Sequence, residues 1–196
     1  MAIEIIDIPQ GTEIWKAERQ KYIGSSDCAA ILNKSPWKTA QILFLEKTAG
    51  FVENTEDKEW LFAKGREAEI IGREFYEKET GKKFTPNILR NSDFPYAQAS
   101  TDGMAEDGEL LEVKLLGTND YIELLFNNKV PEKYIPQLNF LMMVGEKEFI
   151  TFIGVNEKKE VAYFKYPRDN FFIENMDLKC KELWAKVINN NWNLGE

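Results

Sequence analysis

The chain has 196 residues, contains no histidine and carries a formal net charge of −8. That length can bury a core without disulfide or metal staples, and the want of histidine removes Ser-His and Cys-His nucleophile systems and most zinc sites. Chemistry here must run on carboxylates and lysine; the acidity argues against passive coating of nucleic acid but leaves room for a nuclease with a local basic groove.

A single domain over residues 1–196 is expected. Cys28 and Cys180 lie far apart, suit no metal-ligand spacing and read as free thiols of a reducing compartment, so a cytoplasmic protein is expected. No apolar run reaches the length of a membrane span, and the amino terminus lacks the basic-then-apolar order of a signal peptide.

Ile6 to Gln10 reads as a short entry segment, after which Thr12 caps a helix to about Tyr22, with Ile14, Trp15 and Ala17 as its apolar positions. Gly24-Ser25-Ser26-Asp27 breaks it, and Ser26 or Asp27 caps a short helix from Cys28 to Leu32. Ser35-Pro36 starts a turn, and Thr39 to Thr48 forms a third helix closed by Gly50. Arg19 ends the first helix where the serines begin the next. Free N–H groups at a helix start attract anions, so this corner suits a phosphate; plain capping by the serines is the alternative.

Glu53 to Glu59 reads as a polar loop, followed by a helix from about Trp60 to Glu79 ended by Gly81. Phe62, Gly65, Glu69, Gly72 and Tyr76 share one stripe of it. The glycines predict close approach by another segment on either side of Glu69. Glu69 either faces inward toward a partner or metal, since an unpaired buried charge is costly, or pairs with Arg66 or Arg73 at the surface.

Lys83 to Leu89, Tyr96 to Ala105 and Leu110 to Leu116 read as strands. Residues two apart on a strand share a face, so Glu112 and Lys114 project together. The turn Glu106-Asp107-Gly108 sets the register. An Asp-Gly two-residue turn places Asp102 opposite Val113, whereas a three-residue loop ending in a left-handed Gly108 places it opposite Glu112, and the latter is expected. Two carboxylates on one face suit a hard divalent cation such as Mg²⁺, beside which Lys114 orients or deprotonates water. A cross-strand salt bridge on a solvated hairpin is the plain alternative.

Thr118 is expected to cap a helix from Asn119 to about Asn127, and Pro131 leads to a helix from Tyr134 to Val144, with Gln137 among apolar neighbours. Gln137 is either a satisfied edge residue or a ligand contact. Phe149 to Val155 and Glu160 to Tyr166 form a hairpin, and Asp169 to Asn191 a long amphipathic helix. This order predicts an α/β fold with a central mixed β-sheet flanked by helices.

Taken together, Gly65-x-x-x-Glu69, Ser100-Thr101-Asp102-Gly103, Leu111-Glu112-Val113-Lys114 and Tyr134-x-x-Gln137 resemble the lambda exonuclease and YqaJ-type viral recombinase family, within the PD-(D/E)xK (restriction-endonuclease-like) nuclease superfamily. Trp15-x-x-x-Arg19 and Ile23-Gly24-Ser25-Ser26-Asp27-x-Ala29-Ala30-Ile31-Leu32 are similar to the family's opening, and the resemblance spans roughly residues 12 to 190. It implies a Mg²⁺-dependent exonuclease that degrades one strand of linear duplex DNA from its 5′ end and leaves a 3′ overhang for recombination by annealing. It further implies metal binding by Asp102, Glu112, Glu69 and the Val113 carbonyl, with two Mg²⁺ ions or Mn²⁺ as substitute, and a nucleophile role for Lys114. Arg19, Ser26 and Ser100 are implied to take the 5′ phosphate, with Gln137 and Asn139 as DNA contacts. The family pattern Gln-x-Gln is here Gln137-Leu138-Asn139, with a shortened second amide. A homotrimer ring and a single-strand annealing protein are the implied partners. Rival functions are another endonuclease or repair nuclease of the superfamily, and a catalytically silent DNA- or protein-binding module.

Overall fold

The computed structural model describes residues 2–50, 57 and 59–195. The loop expected over Glu53 to Glu59 lies, apart from Asp57 and Glu59, outside the described residues.

The strands are β1 (Ile3–Ile6), β2 (Ile23–Gly24), β3 (Thr85–Asn91), β4 (Ala97–Met104), β5 (Leu110–Leu115), β6 (Phe149–Val155) and β7 (Val161–Pro167). They pair in the order β1-β3-β4-β5-β6-β7, with β2 parallel to the start of β4. The β5–β6 pair is parallel and the other neighbours along the path are antiparallel, which makes the sheet mixed, as expected. A parallel pair needs a crossover, and helices α5 (Thr118–Asn127) and α6 (Ile135–Val144) supply it.

The remaining helices are α1 (Glu13–Arg19), α2 (Cys28–Ile31), α3 (Ala40–Ala49), α4 (Glu59–Thr80) and α7 (Asn170–Ile188). Helix α4 covers one face of the sheet, where Ala68 and Tyr76 pack with Leu111, Val113 and Ile153. Helices α2, α3, α6 and α7 cover the other, around Leu138, Phe140, Leu141 and Phe152. Helix α6 is buried along nearly its whole length, which is why its sequence is apolar all round rather than striped.

Local chemistry sets the helix ends. Thr12, Thr39 and Asp169 accept the backbone N–H of Trp15, Ile42 and Phe172, and Gly50 closes α3 in the left-handed region at φ 63°. Some expectations shift. The entry segment is preceded by strand β1, which pairs along β3 from Ile3 opposite Asn91 to Ile6 opposite Ile88; Ile3 and Ile5 are exposed, so no core-facing alternation marked it. Helix α1 ends at Arg19, short of Tyr22, and Gly117 rather than Thr118 stands at the cap of α5.

The two α4 glycines differ. A Cβ on Gly72 would lie 2.7 Å from Val113 Cγ1, so the absent side chain lets α4 touch β5. Gly65, expected to do the same, faces open space. Gly72→Leu is therefore expected to cost about 1–3 kcal/mol by overpacking, whereas Gly65→Ala should be neutral or stabilise by up to about 1 kcal/mol through helix propensity. Urea denaturation of the two variants checks this, and equal midpoints would refute the contrast.

Candidate active site

Strands β4 and β5 meet through a loop whose geometry decides what faces what. Gly108 has φ 81°, and Ala105 N–H donates to Glu109 O while Gly108 N–H donates to Ala105 O, both at 2.9 Å. The paired residues are Met104 with Leu110 and Gly103 with Leu111, so the register continued by one residue sets Asp102 against Glu112. This is the arrangement that the three-residue loop requires. Glu109 anchors the loop beneath α4, accepting from Tyr76 Oη at 2.9 Å and Thr151 Oγ1 at 3.0 Å.

Beyond Gly103 side chains replace the main-chain ladder. Asp102 Oδ2 accepts the Val113 N–H at 2.7 Å, and Thr101 Oγ1 donates to Leu111 O at 2.8 Å. Arg73 donates to the Asp102 carbonyl at 2.6 Å and thereby ties this point to α4.

Along β5, Leu111 and Val113 face α4, so Glu112 and Lys114 face the side of α6. Glu112 is 1% exposed, and its Oε1 accepts from both Lys114 Nζ and Gln137 Nε2. Its Oε2 is buried with no partner among the described residues. Burial, with the Asp102 charge second, pushes the Glu112 carboxyl up to about 8. Burial and then Asp102 likewise push Glu69 up to about 6. Arg66 donates to Glu59 at 2.7 Å and Arg73 to the Asp102 carbonyl; the charges of both also favour an ionised Glu69, but burial and Asp102 outweigh them. Burial works against the charge of Lys114, but Glu112 and Asp102 outweigh it and hold the ammonium protonated well above the usual lysine range.

Glu69, Asp102 and Glu112 ionised together outnumber Lys114 and Arg73, an acidic surplus of the kind a hard divalent cation offsets. The unpartnered Glu112 oxygen is a ligand atom of the right kind. As the side chains stand, Lys114 and Gln137 take the other oxygen, and among the described residues no group of three acidic, Cys or His side chains converges as a metal site. Val113, expected to lend its carbonyl, has its N–H on Asp102 and its side chain against Gly72.

A second cluster forms at the start of α2. Arg19 Nη2 donates to Ser26 Oγ at 2.9 Å, and its guanidinium lies 4.8 Å from the centre of the Trp15 ring. Trp15 Nε1 reaches Ser100 Oγ at 3.4 Å, so Trp15 joins Ser100 to Arg19, and Arg19 in turn joins Ser26. Neither Ser26 nor Asp27 caps α2 through its side chain. Asp27 instead reaches back to the Gly24 N–H at 3.0 Å, from within a 3₁₀ turn over Ser25–Asp27. Asp27 is 1% exposed and stands 3.1 Å from Lys47, 3.4 Å from Lys38 and 3.9 Å from Arg19. Burial alone would raise its pKa, but Lys47, Arg19 and Lys38 hold it well below the usual carboxylate range. Lys47 also donates to the Arg19 carbonyl at 2.8 Å. The pairing of Asp27 with Lys47 was not legible beforehand, since an aspartate after two serines reads as a cap.

Asn139 joins neither cluster. It is fully buried, donates to Ile135 O at 3.1 Å and accepts the Asp169 N–H at 3.2 Å, so the DNA contact expected of it has no exposed atom to make it.

The model of the YqaJ-like viral recombinase domain matches residues 14–148, a span that contains both clusters. The chain belongs to the YqaJ-like viral recombinase family. It is 30% identical over 182 residues to the uncharacterized protein YqaJ of Bacillus subtilis, a match that covers 89% of this chain and 56% of that relative, so the chain spans little more than half the relative's length. The fold is that of the alkaline exonuclease LHK-Exo from Laribacter hongkongensis, with TM-score 0.76, 22% identity, and 91% of this chain and 94% of that one covered. A phage-related exonuclease from Haemophilus somnus 129PT shares it at TM-score 0.65 and 11% identity, with 86% and 96% covered. No helix among the described residues of this YqaJ-like chain is long and apolar enough to cross a membrane.

The raised carboxyls make a pH prediction for the metal-free protein. Folded Glu112 keeps its proton up to about 8, whereas an ordinary glutamate releases it near 4.5, so stability is full below the lower value and falls as pH rises toward the upper one. Glu69, at about 6, adds to the fall in the lower part of that window. Glu112→Gln, neutral throughout, should flatten the decline in thermal midpoint between about pH 5 and 9. Parallel curves for the two proteins would refute the assignment.

Proposed function

We propose that this chain is a metal-dependent exonuclease that degrades one strand of linear duplex DNA from its 5′ end and leaves a 3′ overhang for recombination by annealing. The observation that carries this reading is Glu112: a buried carboxylate with one oxygen unpartnered among the described residues, faced by Asp102 across the hairpin and flanked by Lys114. A mere salt bridge has no use for a second and third acid beside it, because acids crowding one lysine raise each other's pKa. The likeness in fold to proteins titled exonucleases supports the same conclusion.

In this mechanism Asp102, Glu112, Glu69 and the Val113 carbonyl would hold Mg²⁺, as two ions or with Mn²⁺ as a substitute, and the metal would supply Lewis-acid stabilisation of charge at the scissile phosphate. Lys114, kept protonated by its acidic neighbours, orients the attacking water and opposes the charge that develops on the phosphate. No histidine exists to replace it. Gln137 orients Glu112 through its amide. Arg19, Ser26 and Ser100 receive the terminal 5′ phosphate, with the Asp27–Lys47 pair fixing the end of α1 from which Arg19 extends. A homotrimeric ring around the duplex and cooperation with a single-strand annealing protein complete the proposal.

Lys114→Ala and Asp102→Asn are expected to lower digestion of linear duplex by about 100-fold or more with unchanged circular dichroism. Duplex labelled at either end, with Mg²⁺ or chelator, reads polarity and metal dependence in the same assay. A supercoiled circle should survive, and cutting it would favour an endonuclease instead. Arg19→Ala should erase the preference for 5′-phosphorylated over 5′-hydroxyl ends, and equal losses on both would sink the phosphate assignment.

A further inference from the structure

The turn between α2 and α3 holds a tryptophan in the open between the two clusters. Ser35 Oγ accepts the backbone N–H groups of Trp37 and Lys38, each at 3.2 Å, and the Lys34 and Ser35 N–H groups donate to Ala29 O at 2.7 and 2.9 Å. The backbone of the turn is thus held in place, yet the Trp37 side chain it carries is left 62% exposed. On one side the Trp37 ring centre lies 6.4 Å from that of Tyr134, whose own ring has Lys114 Nζ at 5.9 Å. On the other side its neighbour Lys38 reaches Asp27, which also holds Arg19. Lys133 Nζ stands 5.9 Å from the Trp37 ring and 5.2 Å from that of Tyr134.

Resting on the nuclease reading of the Lys114 cluster and the Arg19 corner, we propose that Trp37 is a stacking platform for the unpaired base of the nucleotide between the terminal 5′ phosphate and the scissile phosphate. A nucleotide with a phosphate at each cluster passes this turn, and its base must leave the duplex stack to let the cluster reach the backbone. An indole offers the broadest side-chain π-face, and stacking on it is indifferent to sequence, as an enzyme that works along any strand requires. Lys133, which also pairs with Asp120 at 2.9 Å, keeps a cation beside both rings, on the side open to a phosphate. A stacking contact adds grip that salt does not screen.

The test uses a 5′-phosphorylated duplex with 2-aminopurine as the 5′-terminal base, titrated with the full chain in chelator, so that binding is read without cutting. The wild type should quench the probe. Trp37→Ala should abolish the quenching and weaken binding by roughly tenfold, and Trp37→Phe should restore most of both. Because the side chain is exposed, neither substitution opens a cavity in the core. Absence of quenching by the wild type, or quenching and affinity unchanged in Trp37→Ala, overturns the proposal. Digestion in Mg²⁺ is scored separately. A wild type that quenches through Trp37 but never cuts refutes the nuclease reading and leaves a base-binding platform; one that cuts while Trp37→Ala quenches normally refutes the platform alone.

Discussion

The burial of Glu112 is the constraint around which the rest of the structure is arranged. A carboxylate at 1% exposure on a central strand is costly to keep ionised, and each neighbour answers that cost in part. Lys114 and Gln137 satisfy one oxygen from the same strand and from α6, while the other oxygen has no partner among the described residues. Asp102 makes matters worse electrostatically, and it is held there by the Val113 N–H and by the loop register. Such a concentration of like charge is what functional sites show when pKa values are being tuned.

The positions of these groups depend on close packing elsewhere. Gly72 lets α4 lie against Val113 and Ile153, and one turn earlier on α4 stands Glu69. A bulkier residue at 72 would push that carboxylate away from Asp102. On the opposite face the largely apolar helix α6 sends Gln137 to Glu112. Glu109, Tyr76 and Thr151 form a polar network that pins the hairpin loop to α4, so the register of Asp102 is supported from below as well as by Gly108.

The two clusters are electrostatic opposites. Around Glu112 acids exceed cations, and the carboxyls are pushed up; around Asp27 cations exceed acids, and the carboxyl is pulled down. The first environment suits a cation and the second an anion. Both sit within the span matched by the YqaJ-like family, in a chain whose overall charge is negative, so local arrangement rather than net charge determines where each sign of ligand is favoured.

Much of this was legible in the order of residues. Alternation on β5 put Glu112 and Lys114 on one face, Gly108 set the loop length and with it the facing of Asp102, and Thr12, Thr39 and Gly50 marked helix ends, because periodicity and turn chemistry are local properties. Local sequence left other points open, and some of it misled. Gly65 and Gly72 look alike on a helical stripe, and only the sheet beneath distinguishes the one in contact from the one in open space. Asp27 reads as a cap until Lys47 and Lys38 arrive from beyond α2, and Asn139 reads as a site amide until the start of α7 claims it. Trp37 shows as a lone aromatic near a proline; its place between Tyr134 and the Asp27 cluster comes from the packing of the turn against the segment before α6. The sequence by itself determined which groups share a strand or a turn. Which of them meet across elements, and with what charge, was decided by tertiary packing, since burial and long-range pairing set those energies.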